Sequence, residues 1–220
     1  MLIAGVDEAG RGCVIGPLVV VGVLLKEEKL PLLSQLGVKD SKLLSPRTRD
    51  ALYGEIVRLA ENYLIMKVAP SEIDRAVECN RKLHKLNRLE AQIMTQIINA
   101  LKPDIAYVDA ADVDEDRFKR HIQEGLTVKV EITSKHKADK TYSVVSAASI
   151  LAKVERDKEI AALRSRYGDF GSGYMSDRKT MEFLKQWLQT HGEYADCVRK
   201  SWKPAKQAKN EKGTLQKKLA

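Results

Sequence analysis

The sequence predicts an α/β protein in which helices cover a sheet and the last helices form a C-terminal cap or subdomain. The first observation is that short apolar runs typical of strands alternate with segments whose apolar residues recur at helical spacing. The second is size, because 220 residues, 44% of them hydrophobic, suffice for one sizeable core but hardly for two full domains. We therefore expect a single domain.

Three strands and one helix are predicted in the first third of the chain. Leu2–Val6 and the Val/Leu-rich run Leu18–Leu25 are both predicted as buried strands, and together they suggest a strand pair. Ser45 is predicted to cap a helix that begins at Pro46. The apolar residues of that helix, at helical spacing, are Leu52, Ile56, Leu59 and Tyr63. Another strand is predicted at Leu64–Val68.

The alternation continues through the middle of the chain. A helix that Pro103 helps to terminate is predicted by an apolar stripe of Leu86, Leu89, Ile93, Ile97 and Leu101. Ile105–Val108 is predicted as a compact strand, and Leu126–Ile132 alternates apolar with polar residues, as a half-buried strand does. Between them, Phe118 and Ile122 indicate a short helix.

The last third is predicted to be helical. Tyr142–Tyr167 is predicted as a long helix that begins with small residues, which would permit close approach to a sheet or another helix. A final helix is indicated by Met181, Leu184, Trp187, Leu188 and His191. From Lys203 onward the chain is rich in lysine and has no apolar periodicity, so we expect a mobile tail.

Composition narrows the class of protein. The net charge of +8 and the pI near 9.3 are compatible with polyanionic partners such as nucleic acid. Positive charge spread evenly over a surface does not, however, indicate a particular binding site or partner. The longest apolar stretch, Val14–Leu25, is too short to span a bilayer, and we expect neither secretion nor membrane insertion. Three widely spaced cysteines indicate a reduced, cytoplasmic protein.

Four carboxylates lie at or near the ends of predicted strands. Asp7 and Glu8 follow the first strand, Asp109 follows Val108, and Asp139 lies between the last strand and a helix. Such positions suit ligand chemistry, and carboxylates without nearby cysteines suit Mg²⁺ or Mn²⁺. Asp7 and Glu8 can share one metal site only if the strand breaks or bulges near Glu8. The alternative is that the aspartates cap turns and helices.

Several segments, in order, resemble the ribonuclease HII family. They are Asp7-Glu8-Ala9-Gly10-Arg11-Gly12, Asp40-Ser41-Lys42, Tyr107-Val108-Asp109-Ala110, Lys135-His136-Lys137-Ala138-Asp139, Ser146-Ala147-Ala148-Ser149-Ile150 and Gly171-Ser172-Gly173-Tyr174. The resemblance covers roughly Met1 to Trp202. One Asp-Glu pair would be a weak signal, whereas the recurrence of ordered blocks makes coincidence improbable.

The resemblance implies a ribonuclease H-like α/β fold, with a mixed five-stranded sheet flanked by helices and a C-terminal helical segment. Residues 1–170 would form the catalytic domain, 171–202 a helical substrate-binding segment, and 203–220 the basic tail. The four acidic positions of the family, which are its catalytic residues and metal ligands, fall on Asp7, Glu8, Asp109 and Asp139.

The implied activity is hydrolysis of the RNA strand of RNA–DNA hybrids, together with cutting at ribonucleotides embedded in duplex DNA. Its implied roles are the removal of RNA primers and of misincorporated ribonucleotides. In such a reaction two cations, Mg²⁺ or Mn²⁺, typically about 4 Å apart, activate the attacking water and stabilise the leaving oxygen. The products would carry 5′-phosphate and 3′-hydroxyl ends.

The resemblance also implies substrate-binding residues. Gly10-Arg11-Gly12 and Tyr174 are assigned to the 2′-hydroxyl at an RNA–DNA junction, where glycines let the backbone approach the sugar. Lys42 and Lys137 lie in resembling blocks and could pair with backbone phosphates, as could the nearby Lys153. The alternatives are a plain turn at residues 10–12 and a packing role for Tyr174.

The sequence departs from the family at two positions: Cys13 stands where proline or a small residue is frequent, and Met175 where proline is usual. Both changes could loosen substrate-facing loops. In the tail, Gln216-Lys217-Lys218-Leu219 resembles the start of a sliding-clamp-binding motif, but the aromatic pair of that motif is missing. We expect a monomer.

Two alternatives remain open from sequence. A ribonuclease HIII-like enzyme would share the fold and the acidic residues, but it typically carries an extra N-terminal domain, and Asp7 lies close to Met1. A non-catalytic basic nucleic-acid-binding protein would use the net charge alone, with the carboxylates as caps. An inactive binder would have little reason to place four acids beside a phosphate.

Overall fold

The computed structural model describes residues 1–38, 44–79 and 85–209 and confirms the predicted α/β class. The described strands are β1 (Leu2–Ala9), β2 (Leu18–Lys26), β3 (Asn62–Val68), β4 (Ile105–Asp109) and β5 (Glu131–Lys135). The helices are α1 (Leu30–Gln35), α2 (Pro46–Leu59), α3 (Pro70–Glu78), α4 (Lys85–Leu101), α5 (Glu115–Gln123), α6 (Ala138–Thr141), α7 (Ser143–Tyr167) and α8 (Arg178–His191). Within this described part, no helix is long and apolar enough to cross a membrane.

The five described strands form one mixed sheet in the order β3-β2-β1-β4-β5. The predicted strand pair is confirmed, because β1 and β2 are antiparallel neighbours from the Leu2–Lys26 pair to the Ala9–Val19 pair. On its other side β1 runs parallel to β4, and β4 runs parallel to β5. The carboxyl ends of β1, β4 and β5 therefore lie at the same edge of the sheet.

Two glycines identify the helices that cover the two faces of this sheet. A Cβ on Gly5 would lie 2.3 Å from the backbone of Val144, at the start of α7. A Cβ on Gly22 would lie 2.2 Å from the side chain of Ile97 in α4. Gly22 pairs with Val6, and successive strand residues face opposite sides, so the two glycines are on opposite faces. Helix α7 thus covers the face to which Gly5 belongs.

The close approach of α7 follows from its small residues. Ser146, Ala147, Ala148 and Ser149 are all fully buried near the start of the helix. Ala147 and Ala148 pack in a core with β-strand residues such as Val21 and Val23. Small side chains let the two backbones come close, as the sequence predicts for this segment.

Two predicted boundaries are wrong, and both errors have a local cause. Tyr63 is in β3 rather than in the preceding helix, because α2 ends at Leu59 and the N–H of Glu61 donates to the carbonyl of Leu24 in β2. The last strand is β5 rather than 126–132, because pairing with β4 begins only at Glu131. Three helices, α1, α3 and the four-residue α6, were not predicted. Helices α1 and α3 each have a proline in the first turn, a signal compatible with a helix start.

Contacts divide the described chain into two compact units. The first comprises Met1–Ala9, Val19–Lys67 and Lys82–Arg156, and the second comprises Gly10–Leu18, Val68–Arg81 and Asp157–Ala220, each as far as its residues are described. These boundaries differ from residues 170 and 202, because the first loop after β1 and the segment after β3 group with the C-terminal part of the chain. The functional division of the chain stays a prediction.

The beginning of the expected tail is helical. Residues 203–209 form a helix, and Ala205 is fully buried within the core of the second unit. The hydroxyl of Tyr194 donates to the carbonyl of Ala205 over 2.8 Å. Ala205 and Ala208 are three residues apart and both are buried, a weak apolar signal that the lysines around them obscure. Residues 210–220 lie outside the described part of the chain.

Candidate active site

Two parallel strands bring two aspartates to the same edge of the sheet. Val6 of β1 lies beside Val108 of β4, and the next residue on each strand is an aspartate, Asp7 and Asp109. Asp139 joins them from the short helix α6, which follows β5. One carboxylate oxygen from each of the three residues lies within 4.8 Å of the other two. The structure therefore brings together three of the four predicted acidic residues, which we call the acidic cluster.

The acidic cluster lies in a region of low solvent exposure. Asp7 and Asp139 are buried, with 5% and 2% of their surface exposed, and Asp109 is half-buried. Burial, reinforced by the negative charge of Asp109, raises the pKa of Asp7 from 3.8 to about 7. The carboxylates of Asp7 and Asp109 therefore repel each other, and a bound positive charge would relieve that repulsion.

The acidic cluster fits a hard divalent cation. Asp7, Asp109 and Asp139 can each offer a carboxylate oxygen as a ligand. Mg²⁺ and Mn²⁺ prefer oxygen ligands, whereas zinc sites generally include nitrogen or sulfur. The three oxygens are close enough together to contact a shared ion or a pair of neighbouring ions.

Glu8 differs from the other three acidic residues. Strand β1 continues without a bulge through Glu8, which pairs with Val20, so the side chains of Asp7 and Glu8 leave opposite faces of the sheet. The carboxylate of Glu8 does not belong to the acidic cluster, and the residue is half-buried. Its backbone N–H donates to Asp7 over 2.7 Å. A ligand role for the Glu8 side chain stays a prediction.

Helix α7 supplies two polar side chains behind Asp7. The hydroxyl of Ser149 donates to the Asp7 carboxylate, and the ammonium of Lys153 donates to the hydroxyl of Ser149. The hydrogen bond from Ser149 and the positive charge of Lys153 both lower the pKa of Asp7, whereas burial raises it. Ser149 was not predicted as a site residue, although its segment resembles a family block. Lys153, considered above for phosphate contact, bonds to the residue that holds Asp7.

The turn that carries Asp139 is fixed by the residues before it. The backbone N–H of His136 donates to the Glu115 carboxylate over 2.6 Å, and a ring nitrogen of His136 lies 2.7 Å from the carbonyl oxygen of Asp112. Lys137 then adopts left-handed backbone angles, with φ 56° and ψ 37°. Its N–H donates to Asp109 over 3.0 Å. This turn therefore ties α5, β4 and α6 together beside the cluster.

In the second unit, the loop of residues 10–16 lies against Tyr174. Cys13 and Tyr174 form an antiparallel bridge, and the N–H groups of Val14 and Ile15 both donate to the carbonyl of Gly173, over 2.8 and 3.1 Å. A Cβ on Gly12 would lie 4.0 Å from the ring of Tyr174. The structure thus brings together the residues predicted to contact the sugar, Gly10, Arg11, Gly12 and Tyr174.

The turn before Tyr174 is anchored at the start of α8. Asp177 caps that helix and accepts a hydrogen bond from the N–H of Ser172 over 2.7 Å. The N–H of Gly173 donates to the hydroxyl of Thr180 over 3.0 Å. Met175, which stands where the family usually has proline, is 51% exposed. Asp177 and Thr180 hold this turn without depending on a proline at position 175.

Arg199 also holds the loop of residues 10–16, and no pattern in the sequence identified it as a site residue. Arg199 is fully buried, and its guanidinium donates to the carbonyls of Gly10, Arg11 and Gly16. These contacts join residues more than 180 positions apart, so no local pattern predicts them. The remaining predicted site residue, Lys42, lies outside the described residues.

Comparison with known proteins identifies the family of this chain. A family model described as Ribonuclease HII matches residues 4–205. A ribonuclease HII from Pyrococcus abyssi is 46% identical over 208 residues, which cover 94% of this chain and 90% of the relative.

Two solved structures are similar over nearly the whole chain. The crystal structure of ribonuclease H2 from Pyrococcus horikoshii OT3 has a TM-score of 0.88 at 42% identity and covers 96% of this chain and 98% of its own. The structure of the PCNA:RNase HII complex from Archaeoglobus fulgidus has a TM-score of 0.83 at 44% identity and covers 92% and 96%. These matches confirm the ribonuclease H-like fold, and the chain belongs to the ribonuclease HII family and is a ribonuclease H.

Proposed function

We propose that this ribonuclease H hydrolyses the RNA strand of RNA–DNA hybrids and also cuts duplex DNA at single embedded ribonucleotides. The observation that carries the proposal is the acidic cluster, in which Asp7, Asp109 and Asp139 offer oxygens within 4.8 Å of one another. A non-catalytic binder has no use for three close, partly buried carboxylates. The roles that follow are removal of RNA primers and of misincorporated ribonucleotides.

Asp7, Asp109 and Asp139 would hold the divalent cations, and Glu8 is added as a further ligand only on the resemblance to ribonuclease HII. When bound at these residues, Mg²⁺ or Mn²⁺ ions would supply Lewis acidity for hydrolysis of the phosphodiester, and we propose 5′-phosphate and 3′-hydroxyl products. The chain's own contribution is to orient the ligands. Ser149 holds Asp7 from one side, and the backbone of the Lys137 turn holds Asp109.

The second unit would recognise the sugar of the substrate. The loop Gly10-Arg11-Gly12 lies beside the ring of Tyr174, and its backbone and the Tyr174 hydroxyl would offer donors and acceptors to a 2′-hydroxyl. Gly12 is exposed and lacks a Cβ, so its backbone can approach a ribose closely. Lys42 and Lys137 are proposed to contact phosphates.

The test of the proposed substrates is a cleavage assay with Mg²⁺ or Mn²⁺ on three duplexes. These are an RNA–DNA hybrid, a DNA duplex with one ribonucleotide, and the same duplex made only of DNA. We expect cleavage of the first two and none of the third, and no cleavage of any duplex when the metal is chelated. Cutting of plain DNA would overturn the proposed selectivity for ribose.

The test of the acidic cluster is the substitution Asp7→Asn. It removes a negative ligand while keeping the shape of the side chain, so we expect cleavage to be abolished and duplex binding to be largely kept. Asp50→Asn is the matched control, because Asp50 is exposed on helix α2. A normal rate of cleavage by Asp7→Asn would show that the catalytic site lies elsewhere.

The test of sugar recognition is Tyr174→Phe, which removes only the hydroxyl. We expect slower cutting at an isolated ribonucleotide, with a smaller effect on long hybrids, where many ribonucleotides offer alternative registers. Tyr63→Phe on strand β3 provides a control for loss of a tyrosine hydroxyl. Unchanged activity and unchanged preference for the junction would count against a role of Tyr174.

Further properties of the protein stay proposals. We propose a cytoplasmic monomer whose partners are the nucleic-acid duplexes above. The similar protein from Archaeoglobus fulgidus was solved in a complex with PCNA. In this chain, Gln216–Leu219 resembles only the start of a clamp-binding motif and lies outside the described residues, so clamp binding rests on that partial resemblance.

A further inference from the structure

Arg199 is among the largest fully buried side chains of the described structure. Its guanidinium donates hydrogen bonds to the loop of residues 10–16. Its Nη2 donates to the carbonyl of Gly10 over 2.7 Å, and its Nη1 donates to that of Arg11 over 2.8 Å. Its Nε donates to the carbonyl of Gly16 over 3.0 Å. One side chain therefore holds both ends of the loop that spans residues 10–16.

The position of Arg199 is itself fixed by its surroundings. Its backbone N–H donates to the carbonyl of Val14 over 2.9 Å, and its guanidinium lies 5.0 Å from the centre of the Trp202 ring. The next two residues, Lys200 and Ser201, donate their N–H groups to the carboxylate of Asp74, each over 2.9 Å. Hydrogen bonds from the backbone of residues 199–201 therefore fix the point from which the guanidinium extends.

Burying a guanidinium costs free energy, so its bonds must be well formed for the arrangement to persist. The planar fork of arginine offers donors in fixed directions, whereas lysine offers a single ammonium on a flexible stem. At this position the fork spans two consecutive carbonyls, those of Gly10 and Arg11. A lysine could keep the charge but could not make the same set of bonds.

Fixing these two carbonyls also fixes the direction of the N–H groups that follow them. In a planar trans peptide, the carbonyl of one residue and the N–H of the next point in opposite directions. Because the carbonyls of Gly10 and Arg11 point to the guanidinium, the N–H groups of Arg11 and Gly12 point away from it. Arg199 therefore orients two consecutive backbone donors in the segment proposed to recognise the sugar.

We propose that Arg199 is the positioning residue for ribose recognition, acting through the peptide planes of Gly10 and Arg11 without contacting the substrate. The inference rests on the proposed function of the loop Gly10-Arg11-Gly12 in sugar recognition. Its consequence is that the selectivity of this ribonuclease H for ribose depends on a residue far away in the sequence. Loss of the fork should affect discrimination between ribose and deoxyribose more than affinity for duplexes in general.

The experiment measures binding in the Asp7→Asn background, where the substrate stays intact. Two dissociation constants are determined with Mg²⁺, one for duplex DNA with a single ribonucleotide and one for the same duplex without it. Their ratio is the ribose preference. In Arg199→Lys we expect this preference to fall by about tenfold, or to unity if it is smaller than that at the outset. The control Arg166→Lys changes an exposed arginine of the same unit and should keep the preference.

The ratio separates positioning from a merely structural role. If Arg199→Lys is folded and both affinities fall by the same factor, or neither falls, the preference is unchanged and the inference is overturned. Gly12→Ala tests the proposed function separately, because its Cβ would stand 4.0 Å from the Tyr174 ring without a clash. If Gly12→Ala loses the preference and Arg199→Lys keeps it, only the inference fails. If Gly12→Ala keeps it, sugar recognition by the loop fails, and the inference with it.

A second variant decides the matter if Arg199→Lys does not fold. Asp74→Ala removes the carboxylate that holds Lys200 and Ser201, and so loosens the backbone that carries Arg199 while leaving the guanidinium in the chain. We expect a smaller loss of ribose preference, with both duplexes still bound. A preference equal to that of the unsubstituted protein would then overturn the inference.

Discussion

The carboxylate of Asp109 accepts a hydrogen bond from the backbone N–H of Lys137 over 3.0 Å. Lys137 is in the left-handed region and immediately precedes α6, which carries Asp139. An aspartate of the acidic cluster thus also holds the turn that presents a second aspartate of the cluster. The backbone of Lys137 has this structural role, which leaves its side chain available for a separate one.

Lys137→Ala tests the side chain alone, because the backbone N–H is kept. We expect weaker binding of an RNA–DNA hybrid, and a slope of log affinity against log salt that is smaller by about one, since one phosphate contact is lost. The measurement is hybrid binding at several salt concentrations in the Asp7→Asn background. Lys102→Ala is the matched control, because Lys102 is the other described lysine with a positive φ, at 51°, and precedes the opposite end of β4. Equal slopes in the two variants would contradict phosphate contact by Lys137.

Ser149→Ala removes the hydroxyl that donates to Asp7. A hydrogen bond to a charged group contributes about 1.5–3 kcal/mol, so we expect kcat to fall by about tenfold to a hundredfold with hybrid affinity nearly unchanged. Ser146→Ala is the control one turn earlier on α7. The Ser146 hydroxyl is equally buried but donates to the carbonyl of Val38, so its loss should lower stability and leave kcat near normal. Equal losses of kcat in both variants would point to packing rather than to orientation of Asp7.

The raised pKa of Asp7 predicts how the metal-free protein responds to pH. In the folded state the Asp7 carboxyl keeps its proton up to about pH 7, whereas in the unfolded chain it loses that proton near pH 3.8. Between these pH values the folded state therefore binds more protons than the unfolded state. The free energy of unfolding should therefore decrease as pH rises through that window, by at most about 4 kcal/mol from this group. Asp7→Asn should lose this contribution. The measurement is urea unfolding at several pH values with chelator present.

Metal binding should reverse this trend. A divalent cation binds the charged form of the carboxylates. At pH 4.5 the cation must displace the proton on Asp7, whereas at pH 7.5 Asp7 has largely lost that proton. Added Mg²⁺ or Mn²⁺ should therefore stabilise the unsubstituted protein more at pH 7.5 than at pH 4.5. The same addition should stabilise Asp7→Asn less. An identical pH dependence of unfolding in the two proteins, with and without metal, would contradict the assigned environment of Asp7.

Gly5→Ala tests the close approach of β1 and α7. The added Cβ would lie 2.3 Å from the backbone of Val144, which cannot move aside as a flexible side chain could. We expect the free energy of unfolding to fall by about 3 kcal/mol. Gly54→Ala is the matched control, because Gly54 is exposed within α2 and a Cβ there would meet nothing within 4 Å. It should stabilise the protein by about 0.5–1 kcal/mol. Chemical denaturation of both variants is the measurement, and similar losses would contradict the close packing at Gly5.

Local patterns predicted most elements because their signals are contained within each segment. The apolar runs of β1, β2 and β4 and the helical stripes of α4, α7 and α8 were placed correctly within a few residues. The strand predicted at 126–132 was wrong, since alternation alone does not specify where pairing with β4 begins. In the same way, the helical spacing of apolar residues could not show that α2 ends at Leu59 and that Tyr63 belongs to strand β3.

The sequence by itself determined the α/β class, the acidic residues near strand ends, and the resemblance that indicated the ribonuclease HII family. Only the tertiary structure decided which acids meet, because the parallel register of β1 and β4 gathers Asp7 and Asp109 while strand alternation sends Glu8 to the other face. Only the tertiary structure showed Arg199 holding the loop after β1. Both relationships depend on contacts between distant segments, which form when the core closes and leave no periodic signal in the chain.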